Sequence, residues 1–351
     1  MKVLQLCPLY FPYIGGVEEQ VRNLSERLAR DNEVTVFTTD NSDLPIEEEI
    51  NGVMVWRFGS FSPNNSYHIC LSMIKKLKEQ QFDIFHGHNY HSFPLFLIRY
   101  AQARRFVVTP HYHRHGVTRF SNLLARLYKP IGRSIYQRAD RIVANSAYEK
   151  DILIEDFHLE NSRVEVIPNG ISVEDFRGLV KNPGEHKTIL CVARLDKFKG
   201  IQYAIQAMPM LAQSTRLEIV GDGSYKKELI KLADRLGVRH RIDFYGNLGH
   251  QQLAERYVNA DLFMLLSQYE SYGITVGEAL AAKTPSIVSN TSALKHWIDD
   301  RNCFGIDYPI NNTELIQLIN RVIGTPVTDV ELWDWDRVSA QTYRLYEDLL
   351  N

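Results

Sequence analysis

Short apolar segments alternate with helical patterns along most of this 351-residue chain, and this alternation constrains the fold more than any other feature. One series of apolar segments runs from Val3–Leu6 to Val164–Ile167, and a second runs from Thr188–Val192 to Pro285–Ser289. Between them, apolar residues recur at helical spacing, as in Val17–Arg30. Strands that alternate with helices in this way form parallel sheets covered on both faces. The sequence therefore predicts an α/β protein with two doubly wound, Rossmann-like domains facing an interdomain cleft.

The domain boundaries follow from the point where the alternation is interrupted. Residues 171–187 contain Asn182, Pro183, Gly184 and several charges, and are predicted to be a linker. A first domain is expected over residues 1–170 and a second over residues 188–333. Ligands of such sheets bind beyond the carboxyl ends of the strands. Functional residues are therefore sought immediately after each apolar segment.

Composition excludes several classes of protein. The 40 Lys and Arg residues nearly balance the 42 Asp and Glu residues, which argues against a general nucleic-acid binder. The four cysteines lie far apart, which predicts neither a disulfide framework nor a zinc site and favours a cytoplasmic location. Pro8 and Pro12 interrupt the N-terminal apolar run, so a secretion signal is not expected. No stretch approaches 18 apolar residues, so no membrane span is predicted.

The strongest chemical pattern is a pair of glutamates, Glu270 and Glu278, on either side of Gly273 and directly after an apolar segment. Gly273 relaxes the backbone at the start of a helix, whose free N–H groups and dipole suit a phosphate. The two carboxylates are spaced to reach opposite ends of a sugar nucleotide. The alternative is that Glu270 caps the helix and Glu278 is a solvated surface residue, which is the favoured interpretation of an isolated pair.

Two loops contribute further candidates. Arg194 and Lys199 lie between a strand and a helix, where two cations suit a diphosphate, although an ordinary charged loop has the same pattern. Gly15 and Gly16 follow the first strand and allow close approach of a ligand to the backbone. They do not form the G-x-G-x-x-G pattern, so dinucleotide binding is only weakly indicated. The alternative for the glycines is a tight turn between the strand and the helix.

Histidines are concentrated in one part of the chain, since six of the 12 fall within residues 86–115. They lack the H-E-x-x-H spacing and have no cysteine pair nearby, so no metal site is predicted. His111 follows the strand Phe106–Thr109, and a neutral imidazole there suits a substrate hydroxyl.

The same part of the chain is strongly basic. Residues 99–141 contain ten Lys and Arg residues and one acidic residue, Asp140. Residues 117–138 are predicted to form an amphipathic helix that Pro130 kinks or divides. A basic amphipathic helix is typical of a membrane-surface element, although cations on such a face are often only solvated. The candidates for acceptor or membrane contact are His88, Arg114, Arg119, Arg126, Lys129 and Arg133.

Taken in order, these segments resemble a known family across nearly the whole chain. The segments are PYIGGVEEQV, HGHN, TPHYH, ADRIVANSAYEKD, VIPNGIS, VARLDKFKG, IVGDGSY, YGN and ESYGITVGEALAAKTPSIVSN. The sequence is similar to the retaining glycosyltransferases of family 4, which have the GT-B fold and an E-x(7)-E signature. One departure is Ser271-Tyr272, where the family commonly has Pro-Phe. The resemblance also implies that residues 334–351 form a helix that returns to the first domain.

The resemblance implies a role for each matching position. Arg194 and Lys199 would hold the donor diphosphate, and Glu270 would bind hydroxyls of the donor sugar. Glu278 would bind the nucleotide ribose, and His111 would contact the sugar near the reacting carbon. The remaining donor-binding positions that it implies are Gly15, Gly16, Gly221, Gly246, Asn247, Leu248, Tyr272, Gly273, Ile274 and Thr275.

The implied activity is transfer of a sugar from a nucleotide-diphosphate-sugar to an acceptor, with retention of anomeric configuration and without a metal ion or other cofactor. The acceptor is expected to be a lipid-linked or lipid-phosphate molecule at the inner face of the cytoplasmic membrane; a soluble sugar or sugar phosphate is the alternative. A phosphorylase, an epimerase and a non-catalytic nucleotide-sugar-binding or membrane-adaptor module are competing hypotheses for the activity. The sequence leaves open the sugar, the nucleotide, the acceptor and the oligomeric state.

Overall fold

Two sheets organise the structure, a computed structural model that describes residues 1–13, 15–61, 68–114, 119–182 and 184–351, with backbone only for 119–127. The first sheet has the strand order β3-β4-β2-β1-β5-β6-β7-β8. Its strands are β1 (Lys2–Leu6), β2 (Glu33–Thr39), β3 (Glu47–Ile50), β4 (Val53–Phe58), β5 (Gln81–His88), β6 (Gln102–Thr109), β7 (Arg141–Ala144) and β8 (Val164–Val166). All its pairings are parallel except that of β3 with β4.

The antiparallel edge strand β3 departs from the predicted parallel sheet. Its sequence, EEEI, has no apolar alternation, and its side chains are exposed or only half-buried. It is held by its register with β4, in which Glu47 lies opposite Trp56 and Ile50 lies opposite Val53. Backbone pairing at a sheet edge therefore forms this strand without the apolar signal used for prediction.

The second sheet is parallel throughout, with the order β11-β10-β9-β12-β13-β14. Its strands are β9 (Lys187–Val192), β10 (Thr215–Val220), β11 (Ile242–Gly246), β12 (Leu262–Leu265), β13 (Ser286–Ser289) and β14 (Cys303–Ile306). Residues 189–192 of β9 and all residues of β12 are buried, as expected for central strands covered on both faces.

The helices include the segments 17–30, 117–138 and 334–351 that the sequence predicts, with bounds that differ by up to two residues. They are α1 (Gly16–Leu28), α2 (Met73–Glu79), α3 (Phe93–Phe96), α4 (Arg119–Arg138), α5 (Ala147–Phe157), α6 (Ile201–Ala207), α7 (Lys226–Arg235), α8 (His250–Asn259), α9 (Ile274–Ala281), α10 (Asn312–Val322) and α11 (Trp335–Leu350). Helix α2 begins at Met73 and not earlier, because Ile69 pairs with Phe61 in a short antiparallel bridge. Pro130 lies inside the single helix α4 and does not divide it.

The chain forms two compact units, one of residues 1–170 and 335–351 and the other of residues 171–334. Residues 171–187 belong to the second unit, so the predicted linker is instead part of that unit. Ile171 N–H donates to the Trp333 carbonyl at 2.8 Å. Lys181 Nζ donates to the Ala260 carbonyl at 2.7 Å and to Asp261 Oδ1 at 3.0 Å. Asp334, predicted to begin the returning segment, also lies in the second unit.

Helix α11 packs within the first unit, chiefly against α1. A Cβ atom at Gly170 would overlap the buried Trp335 ring, so this contact requires glycine. The Tyr346 hydroxyl reaches His86 Nδ1 at 2.6 Å, and Gln5 Nε2 donates to the same hydroxyl at 3.2 Å. The last helix therefore supports side chains of β1 and β5. Within the described part of the chain, no helix is long and apolar enough to cross a membrane.

Candidate active site

A half-buried ion pair lies beyond the carboxyl ends of β9 and β12 in the second unit. Lys199 Nζ lies 2.6 Å from Glu270 Oε1, and the Ser267 hydroxyl donates to the same oxygen at 2.7 Å. The Lys199 and Glu270 side chains are only 17% and 14% exposed. The Glu270 N–H donates to Ser292 Oγ at 2.8 Å, which fixes the backbone that carries the carboxylate. The structure thus brings together two predicted residues that are 71 positions apart.

The two loops that carry this pair are tightly joined. Gly200 has a φ of 75°, and a Cβ atom there would overlap the Leu266 carbonyl. The Phe198 and Tyr269 rings stack at 4.5 Å with an interplanar angle of 7°. The Gln268 N–H donates to the Phe198 carbonyl at 2.7 Å. Because the backbones touch at Gly200, the Lys199–Glu270 geometry is set by the fold and not only by the two side chains.

Arg194 has a different partner from Lys199. Its Nε lies 2.6 Å from Asp196 Oδ2, and the Arg194 side chain is 64% exposed. Burial raises the pKa of Tyr269, the charges of Asp196 and Glu270 raise it further, and the charge of Arg194 lowers it. These charged groups therefore surround one tyrosine ring. Each of the two cations predicted to bind a diphosphate carries a carboxylate counter-ion in this structure.

Helix α9 begins directly after this cluster, at Gly273, whose φ of 90° is in the left-handed region. The helix has no side-chain cap and no acidic residue in its first turn, so Glu270 is not its cap. The interpretation of Glu278 as a solvated residue is also wrong, because it is half-buried and Tyr257 Oη donates to its Oε2 at 2.7 Å. An uncapped helix start leaves N–H groups and a partial positive charge available to an anion.

The residues around this helix start are held by Trp297. Its Nε1–H donates to the Tyr272 carbonyl at 2.8 Å, and the two rings pack edge to face with centroids 5.3 Å apart. Tyr272, Ile274 and Thr275 are all half-buried. The departure from Pro-Phe at Ser271-Tyr272 is therefore accommodated by an aromatic contact that fixes the turn.

The two glycines predicted at the strand ends, Gly221 and Gly246, differ in whether a Cβ atom would fit there. A Cβ atom at Gly221, with a φ of 126°, would overlap the Ala193 carbonyl, so β10 requires glycine at its end. Gly246 has a φ of 70° and open space around its Cα, and its carbonyl accepts from the Gly221 N–H at 2.7 Å. Asn247 is exposed, whereas Leu248 packs on the core. Gly246 and Asn247 thus offer accessible backbone, as a base pocket needs.

In the first unit, His111 follows β6 with a φ of 50°. Burial, and then the charge of His113, lowers the pKa of His111 to about 3, so its imidazole is neutral. Asn145 Nδ2 lies 3.4 Å from His111 Nδ1. The predicted neutral imidazole is therefore consistent with the surroundings of this side chain.

His88 is not a surface residue, contrary to its inclusion among acceptor or membrane candidates. It is 0% exposed, its Nε2 lies 2.7 Å from Gln5 Oε1, and its ring packs 4.3 Å from that of His86. Strand alternation places it at the buried end of β5, and Gln5 on β1 satisfies one of its nitrogens. His88 supports the polar cluster and does not reach the surface.

Gly15 and Gly16 begin helix α1, with Gly15 at the N-cap and Gly16 exposed. The Glu18 carboxylate lies directly above Gly15, where a Cβ atom would overlap it. Burial, and to a lesser extent the charge of Glu19, raises the pKa of Glu18. A diphosphate at this helix start would therefore meet a carboxylate, which the sequence pattern did not indicate.

The basic segment is partly neutralised by helix α5. Arg114 pairs with Glu155 and with Asp156, and Lys129 Nζ lies 3.1 Å from Asp156 Oδ1. These cations are not free for a membrane, because a neighbouring helix supplies their counter-ions. Arg133 is exposed. The side chains of Arg119 and Arg126 lie outside the described residues.

Several residues of the site were missed from the sequence. Ser267, Ser292 and Asp196 hold the charged groups of the second unit, and Tyr257 holds Glu278. No short motif marks them, because their contacts join distant loops. In the described ranges, no three His, Cys, Asp or Glu side chains are grouped to hold a metal ion.

Comparison with known proteins agrees with this geometry. The family model Glycosyltransferase Family 4 matches residues 14–175, and the model Glycosyl transferases group 1 matches residues 172–330. An uncharacterized glycosyltransferase of Methanocaldococcus jannaschii is 27% identical over 99% of this chain and 98% of its own length. The alpha-monoglucosyldiacylglycerol synthase of Streptococcus pneumoniae is 24% identical over 93% of this chain and 79% of its own.

Solved structures show the same fold. Anabaena HepE in complex with UDP-glucose superimposes with a TM-score of 0.79 at 16% identity, covering 99% of this chain and 100% of that one. The two parallel-dominated sheets, the strand-end loops and the paired family matches lead to one assignment: the chain belongs to glycosyltransferase family 4 and has the two-domain, Rossmann-like GT-B fold.

Proposed function

We propose that this glycosyltransferase moves a sugar from a nucleoside diphosphate-sugar to an acceptor hydroxyl or phosphate with retention of anomeric configuration. The observation that carries the proposal is the Lys199–Glu270 pair, held by Ser267 and followed by the uncapped start of α9. The cation and the helix start suit a diphosphate, and the carboxylate suits sugar hydroxyls. The resemblance to a protein whose structure holds UDP-glucose supports a nucleotide-sugar donor.

In the proposed reaction, the bond between the anomeric carbon and the phosphate oxygen breaks, and a bond to the acceptor oxygen forms on the same face of the sugar. The acceptor proton passes to the departing phosphate oxygen. Lys199, Arg194 and the α9 dipole would stabilise the negative charge that develops on the diphosphate. These cationic groups take the role that a divalent metal has in other transferases, so we propose metal-independent activity.

A panel of nucleoside diphosphates and their sugars should reveal the donor by thermal shift. A ligand at 100 times its dissociation constant adds about 2.7 kcal/mol to the free energy of unfolding, which is readily measured. The donor found in this way is then used in a transfer assay with EDTA, in which turnover is expected to be unchanged. Loss of turnover in EDTA would overturn metal independence, and the absence of any stabilising nucleotide would contradict the proposed donor class.

We propose further that the acceptor is a lipid-linked or lipid-phosphate molecule and that α4 contacts the membrane surface. The support is the similarity to an alpha-monoglucosyldiacylglycerol synthase and the basic composition of residues 99–141. Each Lys or Arg near an anionic leaflet contributes roughly 1 kcal/mol. Because Lys129 is paired with Asp156 and Arg133 is exposed, the two residues should contribute unequally.

Flotation with vesicles that contain anionic lipid should recover the protein at low salt, and neutral vesicles should not. The Arg133→Gln variant is expected to weaken binding several-fold, whereas the matched Lys129→Gln variant should bind like the wild type. If no vesicle binds the protein at low salt, the membrane proposal is wrong and a soluble sugar or sugar phosphate becomes the favoured acceptor.

A further inference from the structure

His111, two residues after the end of β6, combines a strained backbone with a buried ring. Its φ of 50° lies in the left-handed region, which is unfavourable for a residue other than glycine. Its Nδ1 lies 3.4 Å from Asn145 Nδ2, and its Nε2 is buried and has no hydrogen-bond partner among the described residues. Some group must therefore hold both the backbone and the ring in place.

Glu149 is that group. It lies in the first turn of α5 and is 0% exposed, and Ser146 Oγ accepts from its N–H at 3.1 Å. One carboxylate oxygen, Oε1, accepts from the Tyr112 N–H, which directly follows His111. The other, Oε2, accepts from the Asn145 N–H at 2.7 Å and from Asn145 Nδ2 at 3.0 Å. One buried carboxylate thus fixes the backbone after His111 and the amide beside its ring.

These contacts determine which nitrogen of His111 carries the proton. An ionised carboxylate only accepts hydrogen bonds, so the Asn145 amide must turn its NH₂ group towards Glu149. Gln20 Nε2 donates to Asn145 Oδ1 at 3.0 Å, which agrees with the same orientation. The NH₂ group then also faces His111 Nδ1, which must accept. The proton of the neutral imidazole therefore resides on Nε2.

We propose that Glu149 and Asn145 are positioning residues that hold His111 as its Nε2–H tautomer. His111 then presents a hydrogen-bond donor and cannot act as a general base through Nε2. A donor suits an oxygen of the sugar or of the departing phosphate. This consequence for catalysis rests on the proposed function, whereas the tautomer itself does not.

Above neutral pH, the charge states of Glu149 and His111 are those that the Nε2–H tautomer requires. Burial raises the pKa of Glu149 to about 7, against the opposing effect of the N–H groups of Asn145 and Tyr112. Glu149 is therefore ionised at pH 8, where the imidazole of His111 is neutral. The tautomer is best measured at that pH.

Long-range ¹H–¹⁵N spectra of the ligand-free, ¹⁵N-histidine-labelled protein at pH 8 test the tautomer without substrate. The His111→Gln variant assigns the signal. The expected result is one His111 spin system with a protonated Nε2 and an unprotonated Nδ1. The Asn145→Ala variant should show both tautomers, because the donor to Nδ1 is lost. A protonated Nδ1 in the wild type, or an unchanged spectrum in Asn145→Ala, would overturn the proposal.

Kinetics test the consequence for the reaction. Glu149→Gln places an NH₂ group against one of the N–H groups that Glu149 accepts from, which disturbs the position of His111. We therefore expect kcat to fall more than tenfold, while the KM for the nucleotide-sugar changes little. The matched Glu155→Gln variant removes an exposed carboxylate of the same helix and should keep wild-type kcat. A different outcome is that the wild type shows the expected tautomer while Glu149→Gln keeps wild-type kcat. That result would support the positioning of His111 by Glu149 and Asn145 but contradict the proposed contact of His111 with the reacting sugar.

Discussion

The Glu270→Ala and Lys199→Ala variants are each expected to reduce turnover by about 10²–10³-fold, the loss typical of removing one well-placed electrostatic group. Glu270 Oε1 accepts from both Lys199 Nζ and Ser267 Oγ, so either substitution disrupts the whole cluster. The effect should appear in kcat as well as in the donor KM, because charge on the diphosphate develops in the transition state.

Stability must be measured beside activity in these variants. Removing one partner leaves the other charge largely buried, which costs about 3–5 kcal/mol. The double variant Lys199→Met/Glu270→Gln removes both charges at similar volume, and is expected to unfold at nearly the wild-type urea concentration. We expect the double variant to be as inactive as the single ones, which separates catalysis from folding.

The matched control is Lys197→Ala, which removes an exposed lysine two residues before Lys199. Its turnover should stay within about twofold of wild type, because exposed charges in high dielectric contribute little. Near wild-type turnover in the double variant, once its fold has been verified by circular dichroism, would exclude the Lys199–Glu270 pair from the active site.

The sequence alone predicted the strands of the sheets better than it predicted the side-chain contacts in the loops that follow them. The central strand β9 is a continuous apolar run, and the predicted segment Thr188–Val192 lies within one residue of its bounds. The acidic strand β3 was missed because its backbone pairing, and not its side chains, forms it. Motif positions indicated the loops of the candidate site, since turns and helix starts require particular residues at fixed spacing.

The partners of the charged residues could not be predicted in the same way. Lys199 meets Glu270 only because Gly200 brings two loops into backbone contact, and Lys129 meets Asp156 only because α4 lies beside α5. Such pairings depend on packing between distant segments, which no local pattern encodes. The sequence therefore showed how many cations the basic segment contains, but not which of them are paired.

The first unit is expected to lose much of its stability as the pH falls from 8 to 5. Burial lowers the pKa of His86 and His111 to about 3 and that of His91 to about 4, and places that of His88 well below its ordinary value. These histidines stay neutral in the folded state but take up protons when the chain unfolds. Their contribution to stability is therefore present above about pH 6.5, the ordinary histidine pKa, and is lost as the pH falls below it.

The size of this effect follows from proton linkage. At pH 5 each of His86, His91 and His111, whose pKa in the folded state is about 3 or 4, favours unfolding by about 2 kcal/mol, and His88 acts in the same direction. Glu149 and Glu18 act in the opposite direction, because burial raises their pKa and their protonation at low pH favours the folded state. A net loss of a few kcal/mol is a large part of a typical domain's stability.

Native-state hydrogen exchange, corrected for the intrinsic pH dependence of exchange, should localise the loss. Peptides from β5 and β6 are expected to lose protection between pH 8 and pH 5, while those from β9 and β12 keep theirs. His88→Gln keeps an N–H donor for Gln5 and should reduce the pH dependence by about one proton. The exposed His240→Gln in the second unit should leave it unchanged. Equal loss of protection in both units would show that the buried histidines of the first unit are not its cause.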